Sequence, residues 1–135
     1  MIVDTSFVLD IIDDAEPAVR KKRELEAEGV PLVIPSMTVL ELYIGVGKVV
    51  ETPEERRRVE AVLGSYPVVE MTPHIARRAG RLLGERMAGT DDGDAPGIGK
   101  GDAAIAATAI ERDEPVLAAD SHFGNIPGVV HERYQ

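Results

Sequence analysis

The chain has no cysteine and no tryptophan. That excludes a disulfide framework, a zinc–thiolate site and a cysteine nucleophile. Aromatic residues make up 4% of the 135 residues, so base-stacking platforms are scarce. Lysine occurs only at positions 21, 22, 48 and 100, and the other basic residues are arginine. No apolar run approaches the ~18 residues needed to span a bilayer. No charged segment followed by a long apolar stretch marks a signal peptide. The expectation is a cytoplasmic protein with no membrane segment. Positive charge is in deficit too, with 24 acidic against 15 basic residues and a net charge of −9. That excess opposes non-specific attraction to nucleic acid, though an acidic site can still meet phosphate through metal ions. The acid-rich, lysine-poor balance suits a high-salt cytoplasm, where surface charge is screened, as well as an ordinary acidic domain.

What is present is enough for one domain with a real core: 135 residues, 44% of them hydrophobic. Met1 to Asp4 reads as a short buried strand. Thr5 or Ser6 can cap a helix through Phe7, Val8, Leu9, Ile11 and Ile12. Glu16-Pro17 starts a charged helix that Gly29 ends, and Pro31 to Ile34 is a second strand. A helix from Pro35-Ser36 carries Glu41. Thr52-Pro53-Glu54-Glu55 combines a capping hydroxyl, proline at the first helical position and first-turn acids. Pro67 to Met71 is a third strand. Thr72-Pro73 opens a long helix to about Ala88. Gly89 to Gly101 is the one flexible loop. Asp102 to Arg112 is a helix, Pro115 to Ala118 a fourth strand and Gly128-Val129-Val130 a fifth. This alternation predicts an α/β fold, a single domain over 1–135 with a central, mostly parallel sheet of about five strands flanked by helices.

Four acids stand against apolar stretches, where a lone carboxylate is costly to bury. Asp4 closes the first strand, Glu41 interrupts Met37–Ile44, Asp102 opens an alanine-rich run and Asp120 follows Val116-Leu117-Ala118-Ala119. In open α/β sheets, ligands bind beyond the carboxyl ends of the strands, where Asp4 and Asp120 are expected. Brought together, four carboxylates cannot all remain ionised without a cation, and Mg²⁺ or Mn²⁺ suits such oxygen ligands. Each acid also has a plain structural role open to it. Asp4 and Asp102 can cap helices, Glu41 can pair with a buried arginine, and Asp120 can make an Asx-turn. Asp10, Asp13 and Asp14 read as solvated surface. Asp91, Asp92 and Asp94 lack the calcium-loop pattern, and His74 and His131 have no evident partner.

The same residues resemble a known pattern. Ile2-Val3-Asp4-Thr5-Ser6, then Ser36 with Val39-Leu40-Glu41-Leu42, then Gly101-Asp102-Ala103-Ala104-Ile105, then Val116-Leu117-Ala118-Ala119-Asp120-Ser121-His122-Phe123 and Ile126-Pro127-Gly128-Val129 occur in the order and spacing of the PIN-domain family. Within it the chain is similar to the VapC-type toxins of toxin–antitoxin pairs. The resemblance implies a metal-dependent endoribonuclease using Mg²⁺ or Mn²⁺. Asp4, Glu41, Asp102 and Asp120 would be its catalytic residues, with Asp4, Asp102 and Asp120 as the main metal ligands and Ser6 orienting a carboxylate or a water. Whether one ion or two is held stays open. Two positions depart from the pattern: Ala118 stands where many relatives have Thr or Ser, and His122 where many have another acid. His122 would remove a carboxylate or add a proton acceptor.

The resemblance also implies an RNA substrate and a VapB-type antitoxin whose C-terminal segment occupies a groove near the site. Homodimers are common in the family. Leu9, Ile12, Leu40, Tyr43 and Ile44 can form such a groove, or pack in the core. Arg56-Arg57-Arg58, and Arg77, Arg78 and Arg81 on the long helix, can be solvated faces or an RNA path, with Arg77 and Arg81 the proposed phosphate contacts. Two other readings remain: a PIN nuclease of RNA processing or decay, and a non-catalytic PIN-like binding module.

Overall fold

Residues 1–49, 52–89 and 97–135, which the computed structural model describes, form β1 (Ile2–Val3), α1 (Thr5–Ile12), α2 (Glu16–Ala27), β2 (Ile34–Pro35), α3 (Ser36–Lys48), α4 (Pro53–Gly64), β3 (Val68–Val69), α5 (Pro73–Ala88), α6 (Lys100–Arg112), β4 (Val116–Leu117) and β5 (His131–Glu132), with a 3₁₀ turn at Ser121–Asn125 between the last two. Asp91, Asp92 and Asp94 lie outside the described residues. No described helix is long and apolar enough to cross a membrane.

All strand pairings are parallel. One ladder runs β1-β4-β5 and a second pairs β2 with β3. A parallel bridge between Ile2 and Val33 joins the two, secured by Val3 N–H to Val33 O at 3.0 Å and Val33 N–H to Met1 O at 2.9 Å. The spatial order is therefore β3-β2-β1-β4-β5. The chain leaves β1 in one direction for β2 and β3, then returns to place β4 and β5 on its other side. The reversal falls between β1 and β4, the position at which such sheets open a crevice.

Successive strand residues face opposite sides of the sheet, and the packing follows. Ile2, Val33 and Val116 join one apolar cluster with Ile75 and Ala79 of α5, Ala103–Ala107 of α6 and Phe123. Val3, Ile34 and Leu117 join the other with Phe7, Val8 and Ile11 of α1, Leu25 of α2 and Leu42 of α3. Helices thus cover both faces, as the α/β pattern predicts. Helix α4 starts where expected: Thr52 and Glu55 form a reciprocal capping box, Glu55 N–H to Thr52 Oγ1 at 3.1 Å and Thr52 N–H to Glu55 Oε2 at 2.9 Å. Thr72 likewise accepts from Ile75 N–H at 3.2 Å.

Two strands differ from the sequence expectation. The second ladder pairs Ile34–Pro35 rather than Pro31–Ile34; proline is tolerated at the strand's end, where its missing donor is not needed. The fifth strand is His131–Glu132 rather than residues 128–130, because Gly128 takes φ +86° in a turn and pairing starts only after it. Helix α6 begins two residues earlier than expected, at Lys100, which leaves Asp102 in its first turn.

Candidate active site

Asp4 ends β1, is 5% exposed, and occupies the extended position just before α1. Thr5 and Ser6 do not cap that helix; they are its first two residues, and their hydroxyls bind carboxylates instead. Ser6 Oγ donates to Asp4 Oδ2 at 2.7 Å, and Thr5 Oγ1 donates from α1 to Glu41 Oε1 on α3 at 2.8 Å. The expected role of Ser6 in orienting a carboxylate is therefore present. Thr5 does the same for Glu41, a role the sequence reading missed because the partner is 36 residues away. Glu41 pairs with a hydroxyl, not with the buried arginine it could have met.

Burial pushes the Asp4 carboxyl above its ordinary value of 3.8. The Ser6 hydroxyl and adjacent backbone amides oppose that rise, and the charge of Asp102 adds to it. Burial raises Glu41 as well; the Thr5 hydrogen bond offsets part of this, and the charges of Asp4 and Asp102 raise it further. These three acids, from the junction of β1 with α1, from α3 and from α6, therefore share one electrostatic environment. Gly101 permits the approach: a Cβ there would lie 2.7 Å from Glu41 Oε2, so only a residue without a side chain lets Glu41 lie against the first turn of α6. The amino end of that helix favours negative charge.

Asp102 accepts from Gly99 N–H at 3.2 Å, so it does cap the start of its own helix. Its other oxygen, Oδ1, faces His122 Nε2 at 3.4 Å. His122 sits in the 3₁₀ turn, its ring tilted against Phe123 with centroids 4.8 Å apart. Among the described residues, Tyr66 Oη and His122 Nε2 are the buried side-chain polar atoms with no hydrogen-bond partner.

Asp120 precedes the 3₁₀ turn, exposed, without a side-chain capping bond. Its side chain makes no hydrogen bond or ion pair among the described residues, and its charge is not among those acting on Asp4 or Glu41. Ala118 is fully buried, and its carbonyl contacts His131 Nε2 at 2.9 Å, which gives His131 the partner its sequence did not reveal. Asp10 is likewise not plain surface: Tyr134 Oη donates to its Oδ2 at 2.6 Å, beneath α1 and close to Ser6. Asp14 pairs with Arg58 at 3.1 Å.

Among the described residues no three acidic or histidine side chains close into a ready cage for an ion. The donor chemistry nevertheless fits a divalent cation. Two carboxyls are held above their ordinary range by burial and mutual repulsion, and the buried imidazole nitrogen turned toward Asp102 has no proton donor or acceptor of its own. A cation would relieve all three conditions.

The arginines are placed as follows. Helices α5 and α6 form an antiparallel pair: Arg78 near the start of α5 bonds Glu111 near the end of α6 at 2.5 Å, while Arg86 near the end of α5 reaches Asn125 O at 3.4 Å and lies beside Gly97. His74, Arg77, Arg78, Arg81 and Glu111 line an open depression of about 630 Å³. Arg77 and Arg81 are exposed there. Glu111 is ~13 Å along the α6 axis from Asp102, so this basic face is near the far end of α6 from the acids. Arg58 also donates to Ile12 O, and Arg57 to Pro53 O at 3.3 Å, which makes those two structural in part.

On the other flank, Leu9, Ile12, Leu42, Val46, Val49 and Val59 line an apolar groove of about 290 Å³ between α1, α3 and α4. Leu9, Leu40, Tyr43 and Ile44 are 46%, 52%, 47% and 50% exposed. They form surface, not core.

A parallel α/β sheet with three acids sharing one electrostatic environment at its topological reversal defines the class of this protein. The PIN domain family model matches residues 1–129, and the chain belongs to that family. Among solved structures it is similar to VapBC2 from Rickettsia felis bound to a promoter DNA fragment, with TM-score 0.81, 21% identity, and coverage of 98% of this chain and 96% of that one. It is similar to DNA-bound VapBC from Salmonella typhimurium, with TM-score 0.80, 24% identity, and coverage of 99% and 97%. A toxin–antitoxin complex from Klebsiella pneumoniae gives TM-score 0.69 at 25% identity, covering 96% and 94%. No curated protein matches the chain.

Proposed function

We propose that the chain is a metal-dependent endoribonuclease, the toxin of a VapBC-type pair, with residues 1–135 acting as one nuclease domain. The observation that carries this reading is the electrostatic crowding of Asp4, Glu41 and Asp102 at the sheet's reversal point. Buried carboxylates of like charge are unfavourable unless a cation joins them, and the PIN family supplies a reaction that needs one. Asp4, Asp102 and Asp120 would hold Mg²⁺ or Mn²⁺. Such an ion supplies charge neutralisation at the phosphate and a lowered pKa for water. Ser6 holds Asp4 in one orientation, and Thr5 holds Glu41. Glu41, whose proton affinity is raised, is suited to take a proton from the attacking water. Arg77 and Arg81 would contact RNA phosphates beyond the cleavage point.

The partner reading rests on the apolar groove and on the exposed Leu40, Tyr43 and Ile44, which lie on another face of α3 from the groove-lining Leu42 and Val46. Exposed apolar surface of this kind marks an interaction site, and the amphipathic C-terminal segment of a VapB-type antitoxin is its proposed occupant. Growth arrest on expression, relieved by a co-expressed upstream antitoxin, would separate a toxin from an RNA-processing nuclease. Size-exclusion of the chain alone reports whether it also self-associates.

The test of the activity is direct. Asp4→Asn and Asp102→Asn should each lower Mn²⁺-dependent RNA cleavage by about a thousandfold or more, with an unchanged circular-dichroism spectrum. Cleavage retained by both variants overturns the proposal.

A further inference from the structure

We infer that His122 is a direct metal ligand, through Nε2, beside Asp102, and that the site consequently prefers a transition divalent ion such as Mn²⁺ to Mg²⁺. This rests on the metal-dependent reading above and adds a ligand that reading does not contain. Its basis is geometric. His122 Nε2 is wholly buried, has no hydrogen-bond partner, and is turned toward Asp102 Oδ1 at 3.4 Å. A buried polar atom is rarely left unsatisfied without a functional reason. The separation is long for a hydrogen bond, whose N···O distance falls at about 2.7–3.2 Å. It is the spacing expected of two donors on one ion: with metal–donor distances of about 2.0–2.2 Å, neighbouring ligands stand about 3.0–3.5 Å apart.

The placement of His122 also serves this role. The 3₁₀ turn is tied to the sheet through buried Phe123, whose ring contacts the imidazole at 4.8 Å. The ring is therefore held, while 30% of the side chain stays exposed. Among the described residues the other orphaned atom, Tyr66 Oη, lies beside Lys22 and Glu26, on the opposite face of the sheet from Phe123. Of the two, only His122 directs its unpartnered atom toward the acids. A neutral imidazole adds a donor without adding to the negative charge already crowded on Asp4, Glu41 and Asp102. Nitrogen donors suit Mn²⁺, Fe²⁺, Co²⁺ and Zn²⁺ better than Mg²⁺, which favours oxygen.

The experiment is pulsed EPR on Mn²⁺ bound to the full chain, with calorimetric titration of Mn²⁺ and Mg²⁺. A directly bonded nitrogen-14 should modulate the Mn²⁺ echo, and labelling histidine with nitrogen-15 should convert the pattern without any substitution. His122→Ala should abolish the modulation and weaken Mn²⁺ binding by about tenfold or more, while His122→Asp should narrow the gap between Mn²⁺ and Mg²⁺. Asp102→Asn should abolish binding altogether. Mn²⁺ bound in an Asp102-dependent way but without nitrogen coupling, or with coupling that survives His122→Ala, overturns the inference and leaves the metal-dependent reading intact. No Mn²⁺ binding by the parent chain overturns both.

Discussion

At the scale of single residues, the site is a place where stability is given up. Asp4 and Glu41 are held above their ordinary values of 3.8 and 4.5, chiefly by burial. A carboxyl with a raised folded-state pKa binds more protons folded than unfolded, so stability falls as pH rises from the unfolded value through the folded one and stays low above it. The metal-free protein should therefore be stabilised at neutral pH by Asp4→Asn, by on the order of 1 kcal/mol or several degrees in Tm. Taking the difference between variant and parent from pH 3.5 to 7 removes the opposite contribution of Glu114, which the N-terminal ammonium and Arg112 lower against the effect of burial. A variant no more stable than its parent at pH 7 would refute the strain. Gly101 gives a second test. Gly101→Ala should change Tm little, since the Cβ meets only the flexible end of Glu41 and alanine favours the helix by about 1 kcal/mol. Yet kcat/KM should fall about tenfold or more as Glu41 is displaced, a loss on the scale of a misplaced catalytic group. Equal activity would show that the close approach does not matter.

Between elements, the most informative link is the C-terminal segment after β5. Tyr134 is buried, meets the Phe7 ring edge-on at 5.1 Å, and donates to Asp10 at 2.6 Å, 124 positions away. The end of the chain thus clamps α1, the helix that follows Asp4 and carries Thr5 and Ser6. Tyr134→Phe removes the shorter of the two bonds to Asp10 Oδ2, leaving the 3.5 Å bond from Gln135 Nε2, and should cost about 1 kcal/mol, read as a lower Tm with unchanged helix content. An unchanged Tm would mean the hydroxyl contributes nothing to the clamp. Here the limits of sequence reading are physical. The starts of α4 and α5 were legible because capping is local, set by residues three apart. The destinations of the Thr5, Asp10 and His122 side chains were not, because each partner lies on another element. Asp10 read as surface for this reason, and Thr5 as a cap. The fifth strand was displaced because pairing, not apolar content, selects which residues join a ladder.

For the molecule as a whole, net charge and local charge oppose one another. On the proposed function, a chain of net charge −9 needs a local positive surface to hold RNA, and the exposed Arg77 and Arg81 on α5 are the proposed one. Substituting both with glutamine should weaken RNA binding uniformly across sequences and reduce the slope of log K against log salt by about 1–2. Mn²⁺ affinity should be untouched, because the acids lie toward the other end of α6. A salt dependence identical to the parent's would remove these arginines from the RNA path.

The sequence by itself determined the fold class, the parallel alternation of strands and helices, and the placement of Asp4 and Asp102 at a strand end and a helix start. Those properties depend on periodicity and on signals between near neighbours. Tertiary structure alone decided which acids share a field: Asp4, Glu41 and Asp102 do, and the charge of Asp120 is not among those acting on Asp4 or Glu41. It also decided that Gly101 is needed for Glu41 to fit, and that His122 Nε2 is buried without a partner. Desolvation and contact between separate elements depend on three-dimensional distance, which order along the chain does not carry.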